Sequence, residues 1–461
     1  MTATPVLEFL GGTGTVTGSK FLVRYGDSSV LVDCGLYQGL KELRQRNWQQ
    51  LPFNPNRLDA VVLTHAHLDH CGWLPALVKA GFAGPIVCTE GTAALAEIVL
   101  RDAAHLQEED ALYAARTGFS RHAPPRPLYD AADAEKAIAL LEPIDFGEWV
   151  TVAPHIELEL RFAGHILGAS SAHLRVGGHG VLFYGDLGRG NHPLLRPPQP
   201  PPAVETVVIE STYGDRMHPL PDPESLAGPI RRTANRGGVI IIPSFAVDRT
   251  EVVLYRLREL MRSGAVPALP VFVDSPMALA ALRVYRNAIA AGSPELRPDL
   301  ERDGDPFDTG HLREVTSVEG SMRLNSPHSP CIIVAASGMA TGGRVVHHLK
   351  HLLPDPRNTV VLVGFQAAGT RGRDLAEGAR QLKIHGRYVP VRADIAVVDE
   401  FSVHADAYEL MHWLAQLPSP PKTCYVVHGE PSGSQALADR LHDQLGWCAV
   451  VPKHLERVRL D

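Results

Sequence analysis

No C-x-x-C pair occurs among the six cysteines of this 461-residue chain. Neither a disulfide framework nor a thiolate zinc knuckle is indicated, and a reducing compartment fits best. Aromatic residues are scarce, at 6%, and no apolar run approaches the roughly 18 residues a membrane span requires. The first ten residues lack the basic segment and apolar run of a secretory leader. A cytoplasmic chain without membrane association is expected. Basic charge is also in deficit: 44 Lys plus Arg stand against 51 Asp plus Glu, a formal net charge of −7. That sign excludes a surface that attracts nucleic acid everywhere. What remains is an ordinary globular composition, 45% hydrophobic and 21% charged, at about three times a typical domain length, so two domains are expected.

The first part of the chain alternates short apolar runs with Gly-rich turns at residues 6–10, 21–25, 29–32 and 60–63, which read as strands of a buried sheet. Helical periodicity follows at 74–80, 92–115 and 131–141, and strands return at 157–162, 172–176, 181–184 and 206–210. The Pro-rich stretch 196–202 reads as a stiff exposed connection. After Tyr213, strand and helix alternate through residue 364, the pattern of a parallel α/β sheet. From about Pro390 the first texture is expected to resume, with an apolar run at 395–398, a helix near 407–417 and a strand at 423–427. An inserted domain follows from that return.

The sharpest chemical signal is Thr64-His65-Ala66-His67-Leu68-Asp69-His70, three imidazoles and a carboxylate directly after a buried apolar strand. His65 and His67 are two apart and can share a side as the strand runs out, while Asp69 and His70 on the next turn can face a second position. One segment can thus serve two metal ions. The remaining donors must come from other strand ends, where Asp33, His165, Asp186 and His428 each close an apolar run. Taken singly, each is more often a cap or turn residue than a ligand. Their shared placement is what points to metal.

Adding Glu210 in Ile209-Glu210-Ser211-Thr212-Tyr213-Gly214 and His404 in Phe401-Ser402-Val403-His404-Ala405-Asp406 completes a series that spans essentially the whole chain. This series resembles the metallo-β-lactamase superfamily, and within it the β-CASP nucleases. It is most similar to the compact branch that includes the endonuclease subunit of the pre-mRNA cleavage and polyadenylation complex. The resemblance implies an α/β fold: an αββα sandwich formed by residues 1–213 and 390–461, with a β-CASP α/β domain inserted at 214–389. It further implies that His65, His67 and His165 bind one Zn²⁺, that Asp69, His70 and His428 bind a second, and that Asp186 bridges both. Asp33 would orient the cluster from behind. Asp69, Glu210 and His404 would be catalytic, the last two supplying or relaying a proton to the departing oxygen. Imidazoles and carboxylates suit Zn²⁺, and the oxygen-rich second position also accepts Mn²⁺. Two such ions can share a hydroxide of pKa near 7 and hold phosphodiester oxygens during in-line attack.

Within the inserted segment, Ser337 and Gly338 after a strand and Arg344 at a helix start could face a phosphate, as could Thr370 and Arg373 after Gly369. These look like phosphate-gripping loops of a β-CASP domain, although tight turns use the same residues. Where the family usually has Gly, this chain has Asp248 before Arg249, an acid that either weakens phosphate binding or caps the following helix. His347, His348 and His351 sit at helical spacing and read as a solvated or packed face.

The implied activity is a zinc-dependent ribonuclease, endo- or 5′-exonucleolytic, acting on single-stranded RNA and leaving a 5′-phosphate. His428 favours RNA, because the DNA-processing branch typically lacks His at that motif. The alternatives are a DNA nuclease, a thioesterase or lactonase of the same superfamily, and a non-catalytic scaffold. The insertion speaks against the small-molecule hydrolases, and the filled ligand positions speak against the scaffold. A homodimer is the ordinary expectation for an enzyme of this size. Charge is unevenly shared: residues 213–388 hold 22 Lys plus Arg against 18 Asp plus Glu, and the remainder holds 22 against 33. Net acidity therefore leaves room for local, salt-sensitive RNA docking.

Overall fold

The computed structural model describes residues 4–117, 125–220, 222–300 and 304–460. They fall into two compact units, the first built from Met1–Gln38, Glu42–Met217 and His404–Asp461, the second from Gly39–Lys41 and His218–Val403.

The first unit holds two seven-stranded sheets. One runs in the order Arg457–Arg459, Val6–Phe9, Phe21–Tyr25, Ser28–Val32, Ala60–Val62, Ile86–Cys88 and Leu141–Pro143. The other runs Ala449–Val450, Thr423–Val426, Thr206–Ile209, His179–Phe183, Ser170–Val176, Ile156–Phe162 and Trp149–Ala153. Alternate residues bind the sheets face to face: Leu7, Phe9, Phe21, Val23, Val30 and Val32 from the first meet Leu158, Leu160, Leu174, Val181, Phe183 and Tyr425 from the second. This is period-two burial. Phe9 lies 5.1 Å from Tyr425 and Phe21 lies 5.9 Å from Phe183, centroid to centroid, so aromatic rings bridge the sandwich. Helices Glu90–Thr117 and Ala131–Ile138 flank the first sheet, and Ala407–Leu414 and Pro431–Leu445 flank the second. The capping boxes Asp130/Asp133 and Asp406/Glu409 set two of the helix starts. The layers are those of an αββα sandwich.

The second unit is built on a six-stranded sheet ordered Leu312–Glu314, Val271–Val273, Ile332–Ala335, Ile240–Pro243, Thr359–Leu362 and Asp394–Val397. Every pairing in it is parallel. The central strands are buried from end to end, as a sheet covered on both faces requires. Here the structure differs from the expected return at residue 390. Asp394–Val397 pairs with Thr359–Leu362, and the chain rejoins the first unit at His404. Its apolar run is a strand either way, and nothing local in the sequence says which sheet it joins. Among the described residues, no helix is long and apolar enough to cross a membrane.

Candidate metal centre

The chemistry gathers where strands of the first unit end. Ser28–Val32 stops at Asp33 and Ala60–Val62 leads into Thr64 and His65. His67 precedes the one-turn helix Leu68–Cys71, which carries Asp69 and His70. His165 lies between the strands ending at Phe162 and beginning at Ser170, Asp186 follows Phe183, and His428 follows Val426. Asp33 and His428 both have left-handed backbones, with φ of 58° and 45°. Such conformations are uncommon for non-glycine residues and persist where surrounding contacts enforce them. For His428 those contacts are its amide donating to Gly12 O at 2.6 Å and its carbonyl accepting from Ser211 N at 3.1 Å. The Gly-rich loop at 11–18 thus buttresses the cluster.

Backbone crowding fixes the loops against each other. A Cβ at Gly35 would collide with the carbonyl oxygen of Asp69, and one at Gly188 would collide with the carbonyl oxygen of Gly164, beside His165. Only glycine permits those approaches.

His65 Nε2 and His165 Nε2 each lie 3.2 Å from His67 Nδ1, and 3.4 and 3.5 Å from Asp186 Oδ2. A tetrahedron with metal–nitrogen bonds of 2.0–2.1 Å has edges of about 3.3 Å. These four donors therefore have the spacing of a zinc ligand set. The second group is Asp69, His70 and His428. His70 Nε2 lies 3.2 Å from His428 Nε2 and 3.4 Å from Asp186 Oδ1, and His428 Nε2 lies 3.4 Å from Asp69 Oδ2. Asp186 Oδ1 is buried without a well-formed hydrogen bond, its nearest groups being His428 Nδ1 at 3.2 Å and His70 Nε2 at 3.4 Å, although buried polar atoms are nearly always paired. A cation between the two groups would satisfy it. The donor set fits a bound metal cofactor.

Electrostatics agree. Burial pushes His65 down to about 3 and His67 down to about 4, and holds His165 well below the ordinary imidazole range. These rings are neutral bases at physiological pH, the form that ligates metal. Burial also works against charge on His70, yet the Asp186 and Asp33 carboxylates overcome it and hold that ring well above its ordinary range. For Asp186, burial favours the neutral acid, but His428, His70 and His404 keep it ionised. The centre is built for positive charge.

Asp33 sits behind the donors. Its Oδ2 is 2.7 Å from His70 Nδ1, and it accepts the amide of Thr64 at 2.8 Å and the Thr64 hydroxyl at 2.9 Å. Thr64 Oγ1 in turn is 3.1 Å from His65 Nδ1. With His65 Nδ1–H donating to Thr64 and His70 Nδ1–H donating to Asp33, a cation that displaces the Nε2 proton of His70 would meet an Nε2 lone pair on both rings. Thr64 thus has a part that its sequence context did not assign; its only signal is its place between a strand end and His65.

Beside the donors, His404 Nδ1 lies 3.1 and 3.2 Å from the two oxygens of fully buried Glu210 and 3.8 Å from Asp186 Oδ2. Glu210 also accepts the amide of Leu187 at 2.8 Å. The loop bearing His404 is braced by Ala405 N donating to Leu187 O at 2.8 Å and by an Arg189–Glu409 ion pair at 3.2 Å. No sequence signal links Arg189 to Glu409; the fold alone brings them together.

The five candidate phosphate-contacting residues lie in the second unit, and their polar atoms already have partners there. Ser337 Oγ accepts from the amides of Thr341 and Gly342 at 3.0 and 3.3 Å, and Gly338 packs against Phe245. Arg344 donates to Asp274 at 2.6 Å and to Val315 O at 3.1 Å. Thr370 caps the helix Arg371–Ala376, and Arg373 donates to Glu377 at 2.5 Å and Gln366 O at 3.2 Å. Asp248 makes no cap bond to the helix it precedes; it is buried at φ 66° and accepts from Tyr285 Oη at 2.6 Å. His348 is buried against Asp274, whereas His347 and His351 are exposed.

Three family descriptions match the chain: the metallo-beta-lactamase superfamily over residues 14–231, the Beta-Casp domain over 250–375 and a Zn-dependent metallo-hydrolase RNA specificity domain over 388–452. Ribonuclease TTHA0252 of Thermus thermophilus is 36% identical over 434 residues, covering 94% of both chains. Transcription termination factor FttA of Methanocaldococcus jannaschii is 32% identical over 467 residues, covering 98% of this chain and 71% of that one. A solved protein of unknown function from Enterococcus faecalis V583 superposes with a TM-score of 0.51 at 13% identity, covering 99% of this chain and 100% of that one. That last likeness bears on fold alone.

Proposed function

The chain belongs to the β-CASP family of the metallo-β-lactamase superfamily, and we propose that it is a metal-dependent ribonuclease that hydrolyses single-stranded RNA to leave a 5′-phosphate. The observation that carries this reading is the gathering of His65, His67 and His165 at Asp186 Oδ2 and of Asp69, His70 and His428 beside Asp186 Oδ1. The RNA specificity match and the ribonuclease among its relatives support RNA over a thioester or lactone.

His65, His67 and His165 would hold one ion, Asp69, His70 and His428 a second, and Asp186 would span both. When bound, a pair of divalent ions here, zinc by the donor chemistry and manganese as a substitute, would activate water and offset phosphodiester charge. With the ions in place, Asp33 would hold His70, and through Thr64 His65, by Nδ1, so that Nε2 of each ring would be the ligating atom. In the hydrolysis, water oxygen bonds to phosphorus as the P–O3′ bond breaks, and the departing 3′ oxygen takes a proton. Glu210 holds His404 through Nδ1, and Nε2 of that ring would deliver the proton.

The test is incubation of purified protein with 5′- and 3′-labelled single-stranded RNA, matched DNA and a thioester panel, each with and without chelator. RNA cleavage that chelator abolishes, with 5′-phosphate ends, is expected. Thioester turnover with intact RNA would overturn the reading. The same labels separate endonucleolytic cuts from 5′-exonucleolytic ladders.

A further inference from the structure

The helix Ala407–Leu414 buries Leu410, Met411, Trp413 and Leu414 but leaves an aromatic pair outside. Tyr408 is 65% exposed, and its ring lies parallel to that of exposed His412, with planes within 10° and centroids 6.0 Å apart. Together they put two parallel aromatic rings on the exposed side of this helix, beside charged groups. Its neighbours are Glu409, paired with Arg189, and Arg216, whose carbonyl accepts the amide of Ala407 at 3.1 Å and whose guanidinium is 53% exposed beside Asp215.

Two features give the pair a purpose. Tyr408 follows His404 by four residues, so their Cα atoms are within about 14 Å of each other, within reach of a nucleotide adjoining a phosphate at His404. Its position is also held: the Asp406/Glu409 capping box, the Arg189–Glu409 pair and the Ala405–Leu187 bond tie the helix start to the strand end that carries Asp186. Two exposed aromatic rings among charges are too small for a protein interface. They suit a ligand that is flat and anionic-backboned.

We propose that Tyr408 and His412 form a stacking platform for a nucleobase of single-stranded RNA next to the scissile phosphate. The proposal rests on the ribonuclease reading above and names a substrate contact for it. Stacking accepts any base, so the platform sets position along the strand more than sequence.

The test uses the metal-loaded enzyme and a short phosphorothioate-linked RNA carrying 2-aminopurine at successive positions. Wild type should quench the fluorophore at one position, Tyr408→Ala should abolish that quench, and Tyr408→Trp should restore it. With ordinary RNA, Tyr408→Ala should raise KM about fivefold or more while kcat changes little. Removing the base at the quenched position should bring wild type to the variant's KM. If wild type cuts RNA but Tyr408→Ala keeps both the quench and the KM, the platform is wrong and the ribonuclease reading stands. If wild type neither binds nor cuts RNA, both fall.

Discussion

Each unit of this protein contains a buried aspartate against a buried histidine, and the two pairs have almost the same local geometry. Asp33 lies 2.7 Å from His70 and Asp274 lies 2.6 Å from His348, all with side chains at most 1% exposed. They differ in what the other ring nitrogen meets. His70 Nε2 faces His428 and Asp186 Oδ1, which lacks a well-formed hydrogen bond. His348 Nδ1 faces the amide oxygen of Asn325, and Asp274 is further matched by Arg344 and Ser321. One network is closed and the other has a valence left over. An Asp–His contact is therefore no sign of a site by itself; the unmatched atom beyond the ring is the informative feature.

The largest effect that sharpens this contrast is on the open network. His67→Ala removes a donor shared by His65 and His165, and cleavage should fall by roughly four orders of magnitude or more. Metal per chain, measured by mass spectrometry, should fall with it. Glu210→Gln should slow cleavage by about 10²–10⁴-fold with metal content unchanged; loss of metal would instead make Glu210 a ligand. Asp33→Asn should weaken metal binding by about 10–100-fold, with activity recovered by added zinc in a competition titration. The closed network should respond in the opposite sense. Asp274→Ala leaves Arg344 and His348 without their buried partner, which costs about 3–5 kcal/mol of stability in a denaturant titration, while the amount of bound metal stays the same. A drop in metal content with Asp274→Ala would break the comparison.

Much of the centre was legible because its donors are consecutive or sit at the ends of apolar runs. The 64–70 segment, Asp33, His165, Asp186 and His428 all follow that pattern, and hydrophobic burial alone brings strand ends to one edge of a sandwich. The relay from Asp33 through Thr64 to His65 was not legible, since a threonine after a strand is common and its partner lies 31 residues away. The same holds for Arg189–Glu409, which joins residues that only tertiary packing makes neighbours. In the second unit, the glycine turns suggested free amides, but Ser337 and Thr370 fold back onto their own loops, a local competition that composition does not reveal. Strand 394–397 was visible as apolar, yet its sheet membership depends on pairing with residue 359 onward, a non-local choice.

The glycine contacts at Gly35 and Gly188 have a consequence for time as well as shape. Because the segments carrying Asp69 and His165 touch other backbone directly, their backbones cannot move aside unless two chain segments part together. Such parting is a local unfolding event with its own free energy. If backbone parting limits metal release, release to a chelator should be independent of chelator concentration and match the opening rate of the amides near Gly35 and Gly188, read by deuterium exchange under conditions where opening is rate-limiting.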